Sequence, residues 1–204
     1  MLSGARASRW IERNCMEMSW RELVTAMHGM LFGGFFLMAC FGLLVGLYRS
    51  LATGADGERT PAERRWDGAY LIVMVLLGWA AVLSGAYLVY PWYRAALPAG
   101  TTDLNGYPQR LLLAHAQTAG WHSLGMEWKE HVAWFAPMLM TMAAWVLMRC
   151  EGVGVEARRV RRTVAICATA ALVAAGLAAG WGAMINKQAP VKGGAAIELM
   201  RGAP

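Results

Sequence analysis

Four long apolar runs, separated by short charged stretches, dominate the chain. The first extends from Leu23 to Tyr48 and the second from Gly68 to Tyr93, both without a charged residue. The third, Val132 to Met148, is the shortest and follows Glu127, Lys129 and Glu130, and the fourth extends from Thr163 to Ile185. A helix needs about 20 mostly apolar residues to cross a bilayer core. Continuous rather than alternating apolarity excludes a closed β-barrel. The pattern predicts an all-α integral membrane protein, a four-transmembrane-helix bundle forming one domain over residues 23–186. The expected spans are residues 23–48, 68–93, 130–149 and 163–185, with an extramembrane segment at 1–22 and a tail at 187–204 that a partner would order.

Local signals agree with these boundaries. Ser19-Trp20-Arg21-Glu22 and Thr60-Pro61-Ala62-Glu63 both read as capping boxes, the second with proline at the first helical position. Pro137 inside the third run predicts a kink or one loosened turn. Trp20, Trp66, Trp92, Trp128, Trp145 and Trp181 sit near run ends, as interfacial anchors do. The pairs Gly29/Gly33, Gly42/Gly46 and Gly176/Gly180 have the G-x-x-x-G spacing of close helix packing. Between the second and third runs lies a turn region (Pro98, Gly100, Asp103, Asn105, Gly106). Pro108 to Gly120 then predicts an amphipathic helix along the membrane surface, with Leu111, Leu112 and Leu113 on its apolar side.

Composition narrows the class. Hydrophobic residues make up 57% and charged residues 16%, against about 25% charged in soluble domains. This excludes a disordered chain and an ordinary soluble enzyme. The net charge of +6 is mostly loop arginine. It suits topology and anionic lipid rather than nucleic acid. Arg49, Arg59, Arg64, Arg65 and Arg149, Arg158, Arg159, Arg161, Arg162 crowd two short loops, where the positive-inside rule has force. Both termini and the 94–128 loop are therefore expected outside the cytoplasm, in a bacterial-type inner membrane. The first 22 residues lack the apolar stretch of a cleavable signal, so the first span is expected to act as the targeting signal.

Cys15, Cys40, Cys150 and Cys167 form no C-x-x-C or C-x-x-C-H, which leaves zinc ribbons, thioredoxin chemistry and covalent haem without support. No phosphate-loop, nucleophile-elbow or H-E-x-x-H motif occurs. No catalytic residue is therefore assigned.

The histidines carry the remaining signal. His28 lies in the first turns of span one, His131 at the entry of span three, and His115 and His122 in the middle loop. The span assignment puts all four on one side of the membrane. Ionisable groups at membrane depth are rare and usually functional. Two imidazoles from neighbouring helices at one depth can ligate a haem iron from opposite faces, which suits electron transfer. At α-helical spacing the His28 face continues through Phe32, Phe35, Ala39, Gly42 and Gly46, aromatic and small residues able to meet a porphyrin. Glu127, four residues before His131, is placed to hold its second ring N–H. Four apolar helices with a histidine near the same end of spans one and three resemble the four-helix membrane b-type cytochromes over residues 20–185.

That resemblance implies one haem b with His28 and His131 as axial ligands. His115 and His122, seven apart, do not ligate one iron from opposite sides; they would serve a second haem with other partners, a quinone, or nothing. It also implies a subunit carrying electrons between quinone and a redox partner, beside other membrane subunits of a larger respiratory or photosynthetic complex. Spans two and four contain no histidine, which departs from members with haems at both faces. Tyr90, Tyr93, Arg94 and Tyr107 flank the loop as quinone hydrogen-bond donors or as ordinary anchors. Glu127, Glu130 and His131, with Glu22, form a weak non-haem metal alternative and read better as a solvated helix cap. The competing functional expectation is a cofactor-free accessory subunit. A transporter ranks last, because spans one, two and four lack charges.

Overall fold

The computed structural model describes residues 16–53, 60–149 and 154–199. Four helices in it are long and apolar enough to cross a membrane: α1 (Trp20–Thr53), α2 (Pro61–Tyr93), α4 (Ala116–Arg149) and α5 (Val155–Gln188). A short α3 (Pro108–Leu113) lies between the second and third of these. At 1.5 Å per residue a 34-residue helix is roughly 50 Å long, well beyond a hydrocarbon core of about 30 Å. Each long helix packs against two others in the cyclic order α1, α2, α4, α5. Chain direction alternates around that ring, so the start of α1, the end of α2, the start of α4 and the end of α5 meet at one end.

The two capping boxes form as their sequences predict. The Ser19 backbone N–H donates to the Glu22 carboxylate at 2.8 Å and the Glu22 N–H to Ser19 Oγ at 3.3 Å. Thr60 and Glu63 repeat this at 2.7 and 3.2 Å. Pro137 also disturbs its helix where expected. Its missing N–H frees the Ala133 carbonyl, which accepts instead from the Ala136 N–H at 3.2 Å, a tighter i→i−3 closure that interrupts the regular ladder of α4 there.

Three stretches are π-helical: Met27–Gly34 in α1, Gly85–Val89 in α2 and Trp128–Val132 in α4. All three lie at the same end of the bundle. Each wide turn holds an extra residue and shifts the inward face by one position. In α1 this has a direct consequence. The face of His28 continues through Gly33, Phe36 and Cys40, of which Phe36 and Cys40 are buried. Phe35, assigned to that face at α-helical spacing, is half exposed instead.

Several expectations are corrected. The predicted surface helix Pro108–Gly120 is two helices broken at Ala114–His115, and the second merges into α4. The Thr118 hydroxyl donates to the Leu112 carbonyl at 2.7 Å, and the His115 carbonyl accepts the Thr118 and Ala119 N–H groups, which restarts the helix. Leu112 is buried against the bundle end rather than laid on a surface. The tail is ordered by the chain itself. It crosses back with Ala189 and Val191 buried, and β2 (Ala196–Leu199) pairs antiparallel with β1 (Met16–Ser19), a small sheet that the all-α expectation lacked. Of the three glycine pairs, Gly176/Gly180 faces open space at both positions, as do Gly29 and Gly46, whereas Gly42 is closely packed: an added Cβ there would meet the Tyr70 hydroxyl at 2.8 Å. Trp128 and Trp181 are packing groups: the Trp128 indole donates to the Ala174 carbonyl at 3.0 Å, and Trp181 meets Trp121 with centroids 5.5 Å apart. Cys40 and Cys167 are free thiols, Cys40 in the core. Cys15, Cys150 and Arg59 lie outside the described residues.

Buried side chains form two layers. One spans the middle and far end of the bundle, with Met74, Met140, Cys40 and Ala168 at its centre. The other, with Tyr93, Leu112, Met126 and Ile185, closes the histidine end. The close-packed glycine of the first layer is Gly78, where an added Cβ would meet the Phe36 ring at 2.7 Å. Gly78→Ala is expected to lower stability by about 1–3 kcal/mol by overpacking, while Gly176→Ala, in open space, leaves it unchanged or raises it. Thermal unfolding of the two variants side by side measures the difference.

Candidate chamber between the helices

A cavity of about 830 Å³ separates the two buried layers at the histidine end. All four long helices wall it, and Ala189, Pro190 and Val191 of the returning tail contribute to one side. Small residues make the room: Gly29 and Gly33 on α1, Ala81 and Gly85 on α2, Ala178 and Gly182 on α5. Phe36 and Trp134 add aromatic wall, and Trp134 is held edge-on to Trp79 at 6.4 Å. The polar groups on the wall include His28, Tyr90, Tyr93, Lys129 and Glu130. The volume lies within the roughly 300–1,000 Å³ of small-molecule sites.

His28 is fixed by two neighbours from α2. Its ring lies against Gly85, where an added Cβ would meet Cε1 at 2.6 Å. Its Nδ1 is 3.1 Å from Ser84 Oγ. The Ser84 hydroxyl also lies 3.1 Å from the Ala81 carbonyl. When its proton goes to that carbonyl it accepts from the ring, and a neutral His28 protonated at Nδ1 has its lone pair on Nε2. That is the tautomer of a histidine whose second nitrogen is oriented for a ligand.

His131 is not brought to His28. It is absent from the cavity wall, its side chain is 68% exposed, and it pairs with Glu127 one turn back at 3.4 Å. The cause is helical phase. Glu127, His131, Phe135, Met138, Met142 and Trp145 share the outward stripe of α4, while Met126, Lys129, Ala133, Pro137 and Met140 share the inward one. Glu127 thus supports His131, as expected, but on the outer surface. His122 reaches the chamber only through Tyr93. Tyr93 Oη lies 2.6 Å from His122 Nδ1, the rings stack with centroids 5.9 Å apart, and Tyr93 is buried on the wall. His115 is exposed before the first turn of the Ala116 helix and makes no side-chain capping bond. His115 and His122 accordingly share no helix face.

Arg94 donates to the Tyr90 hydroxyl at 2.6 Å and lies over its ring. The tyrosine pushes the arginine pKa up from its ordinary value. Tyr107 precedes α3 and is not on the wall. Glu22 lines the cavity while its carboxylate caps α1. Among the described residues, no group of three or more His, Cys, Asp or Glu is placed to hold a metal ion. Glu127 and His131 form a solvated pair on the outer surface of α4 rather than a cap, because the helix already begins at Ala116, and Glu130 turns to the cavity.

Lys129 is the wall residue with no assigned role in the sequence expectations. Its Nζ sits against Gly182, 2.8 Å from where a Cβ would stand. It forms no hydrogen bond or ion pair among the described residues. The signal was the spacing Met126, Lys129, Ala133, Pro137 (3, 4, 4), which puts the lysine on an otherwise apolar face. Compared with family models, curated proteins and solved structures, the chain matches none of them.

The opposite faces of Lys129 and His131 are directly testable. In a background with the four native cysteines replaced by serine, His131→Cys is expected to react with a water-soluble maleimide at least tenfold faster than Lys129→Cys, because modification requires an accessible thiolate. Equal rates would place both residues on one face.

Proposed function

We propose that the chain is an integral subunit of a bacterial-type inner membrane, spanning it four times with both termini outside the cytoplasm. In this reading it holds one haem b in the interhelical chamber and carries electrons between quinone and a redox partner. Its setting is among other membrane subunits of a respiratory or photosynthetic complex. The observation that carries the reading is His28: a wall histidine with Nδ1 beside Ser84 Oγ and, when that nitrogen is protonated, Nε2 as the lone-pair nitrogen. Haem b, when bound, supplies one-electron chemistry at its iron.

The donor set fits in part. His28 suits an axial ligand, and Gly85 and Ser84 set its ring. Phe36 and Trp134 offer apolar surface, and the small residues of α1, α2 and α5 give access. His131 does not fit as the opposite ligand, since α4 turns it outward. A second donor from this chain would come from Met30 or Met126, which share the wall. His122 acts through Tyr93 rather than as a ligand of the same site.

A second reading, an accessory subunit whose chamber takes an iron-free amphiphile such as a quinone, is favoured by that outward turn of His131, which leaves one histidine on the wall.

A reduced-minus-oxidised spectrum of the purified protein, with a pyridine haemochrome assay, tests the first reading. Near one haem b per chain is expected, with His28→Ala losing most of it and His131→Ala keeping it. No haem in a folded preparation rejects the reading in favour of the second. Loss in both variants would mean that the α4 placement of His131 is wrong.

A further inference from the structure

Lys129 is a cation enclosed by protein on every side but the chamber, into which it faces. Neither Glu130, the next residue and also on the wall, nor Glu22, which caps α1, forms an ion pair with it. On the inward stripe of α4 it stands between Met126 and Ala133, against Gly182 of α5, and it shares the wall with His28. Gly182 is the reason its ammonium fits: any side chain there would occupy the position of Nζ. Removing an ammonium from water without a partner is strongly unfavourable. The wall also carries Glu22, Thr25, Tyr90, Tyr93, Glu130, Asn186 and Lys187, yet no hydrogen bond or ion pair joins Lys129 to any of them, so its ammonium has no acceptor among the described residues. Phe36, Val82, Ala136 and Ala175 supply apolar surface beside these groups.

We infer that the chamber binds an amphiphile with an apolar body and an oxyanionic head, and that Lys129, seated on Gly182, is the residue that holds the head. Carboxylate and phosphate heads share this chemistry, whether on a porphyrin side chain, a fatty acid or a phospholipid. The inference uses the same chamber as the proposed function, but it does not require iron.

The test uses the full chain in a non-ionic maltoside detergent, free of phospholipid, with the thermal midpoint as readout. A ligand that binds only the folded state raises that midpoint with concentration. The probes are dodecanoate, dodecyl phosphate and neutral dodecanol, all below their micelle concentrations. An oxyanionic probe is expected to bind the wild type at least tenfold more tightly than dodecanol. Lys129→Met abolishes that preference and Lys129→Arg retains part of it. Gly182→Ala, which displaces the ammonium without removing its charge, weakens it. The probe with the largest Lys129-dependent shift identifies the head group. Without ligand, Lys129→Met should melt no lower than wild type. A marked drop would reveal a compensating partner and overturn the inference, as would an oxyanion preference that survives Lys129→Met, or none in the wild type. His28→Ala separates the two readings: it should lose haem while keeping the Lys129-dependent shift.

Discussion

The wide turns at one end of the bundle set the geometry on which the candidate site depends. An α-helix repeats its face every three or four residues, and a π turn adds one residue to that count. In α1 the addition falls between His28 and Phe36. The helix can therefore face the chamber with His28 at one depth and still bury Phe36, Cys40 and Leu47 farther along. Without it, the face of His28 would continue through Phe35, which the structure leaves half exposed. The wide turn of α2 begins at Gly85, the residue against which the His28 ring rests. That of α4 carries Lys129 and Glu130. The three distortions flank one cavity, and each contributes a residue to its wall.

The same point explains how much was legible in the sequence. The four long helices, their alternating direction and the two capping boxes follow from apolar runs and cap residues, which are local signals. So does the interrupted ladder near Pro137. The π turns have no such signature. Met27–Gly34 reads as ordinary apolar helix, and a face projected through it at α-helical spacing is wrong by one residue after the insertion. His28 itself was found because it precedes most of the insertion and because a histidine inside an apolar run stands out. Ser84 and Gly85 were not, since a small polar residue and a glycine in an apolar helix announce nothing until the partner helix is in place.

The charged start of α4 shows a different failure. Glu127, Lys129, Glu130 and His131 look like one solvated cluster when read linearly. Wound into a helix, they divide. Glu127 and His131 are four apart and pair on the outside. Lys129 and Glu130 turn inward with Ala133 and Pro137. By residue type the histidine is the conspicuous member of the cluster, while a lysine at the start of an apolar run reads as an ordinary boundary charge. The apolar positions that follow could have decided it: Phe135, Met138, Met142 and Trp145 continue the histidine's stripe outward, whereas Ala133, Pro137 and Met140 continue the lysine's toward the core. Small residues mark the packed side and large ones the side facing away from the bundle.

The chamber also constrains what the bundle can be. The chamber is open enough to be filled, so the question is by what. Water alone would solvate Lys129 but would wet Phe36, Ala136 and the alanines of α5. Acyl chains alone would suit those walls but leave the ammonium without an acceptor. An amphiphile satisfies both, with its body between the small residues and its head at Lys129. Haem b, with its apolar ring and two carboxylates, is one such molecule, and His28 then acquires a reason for its bond to Ser84. Without iron, the apolar walls and the Lys129 ammonium still select an oxyanionic head on an apolar body.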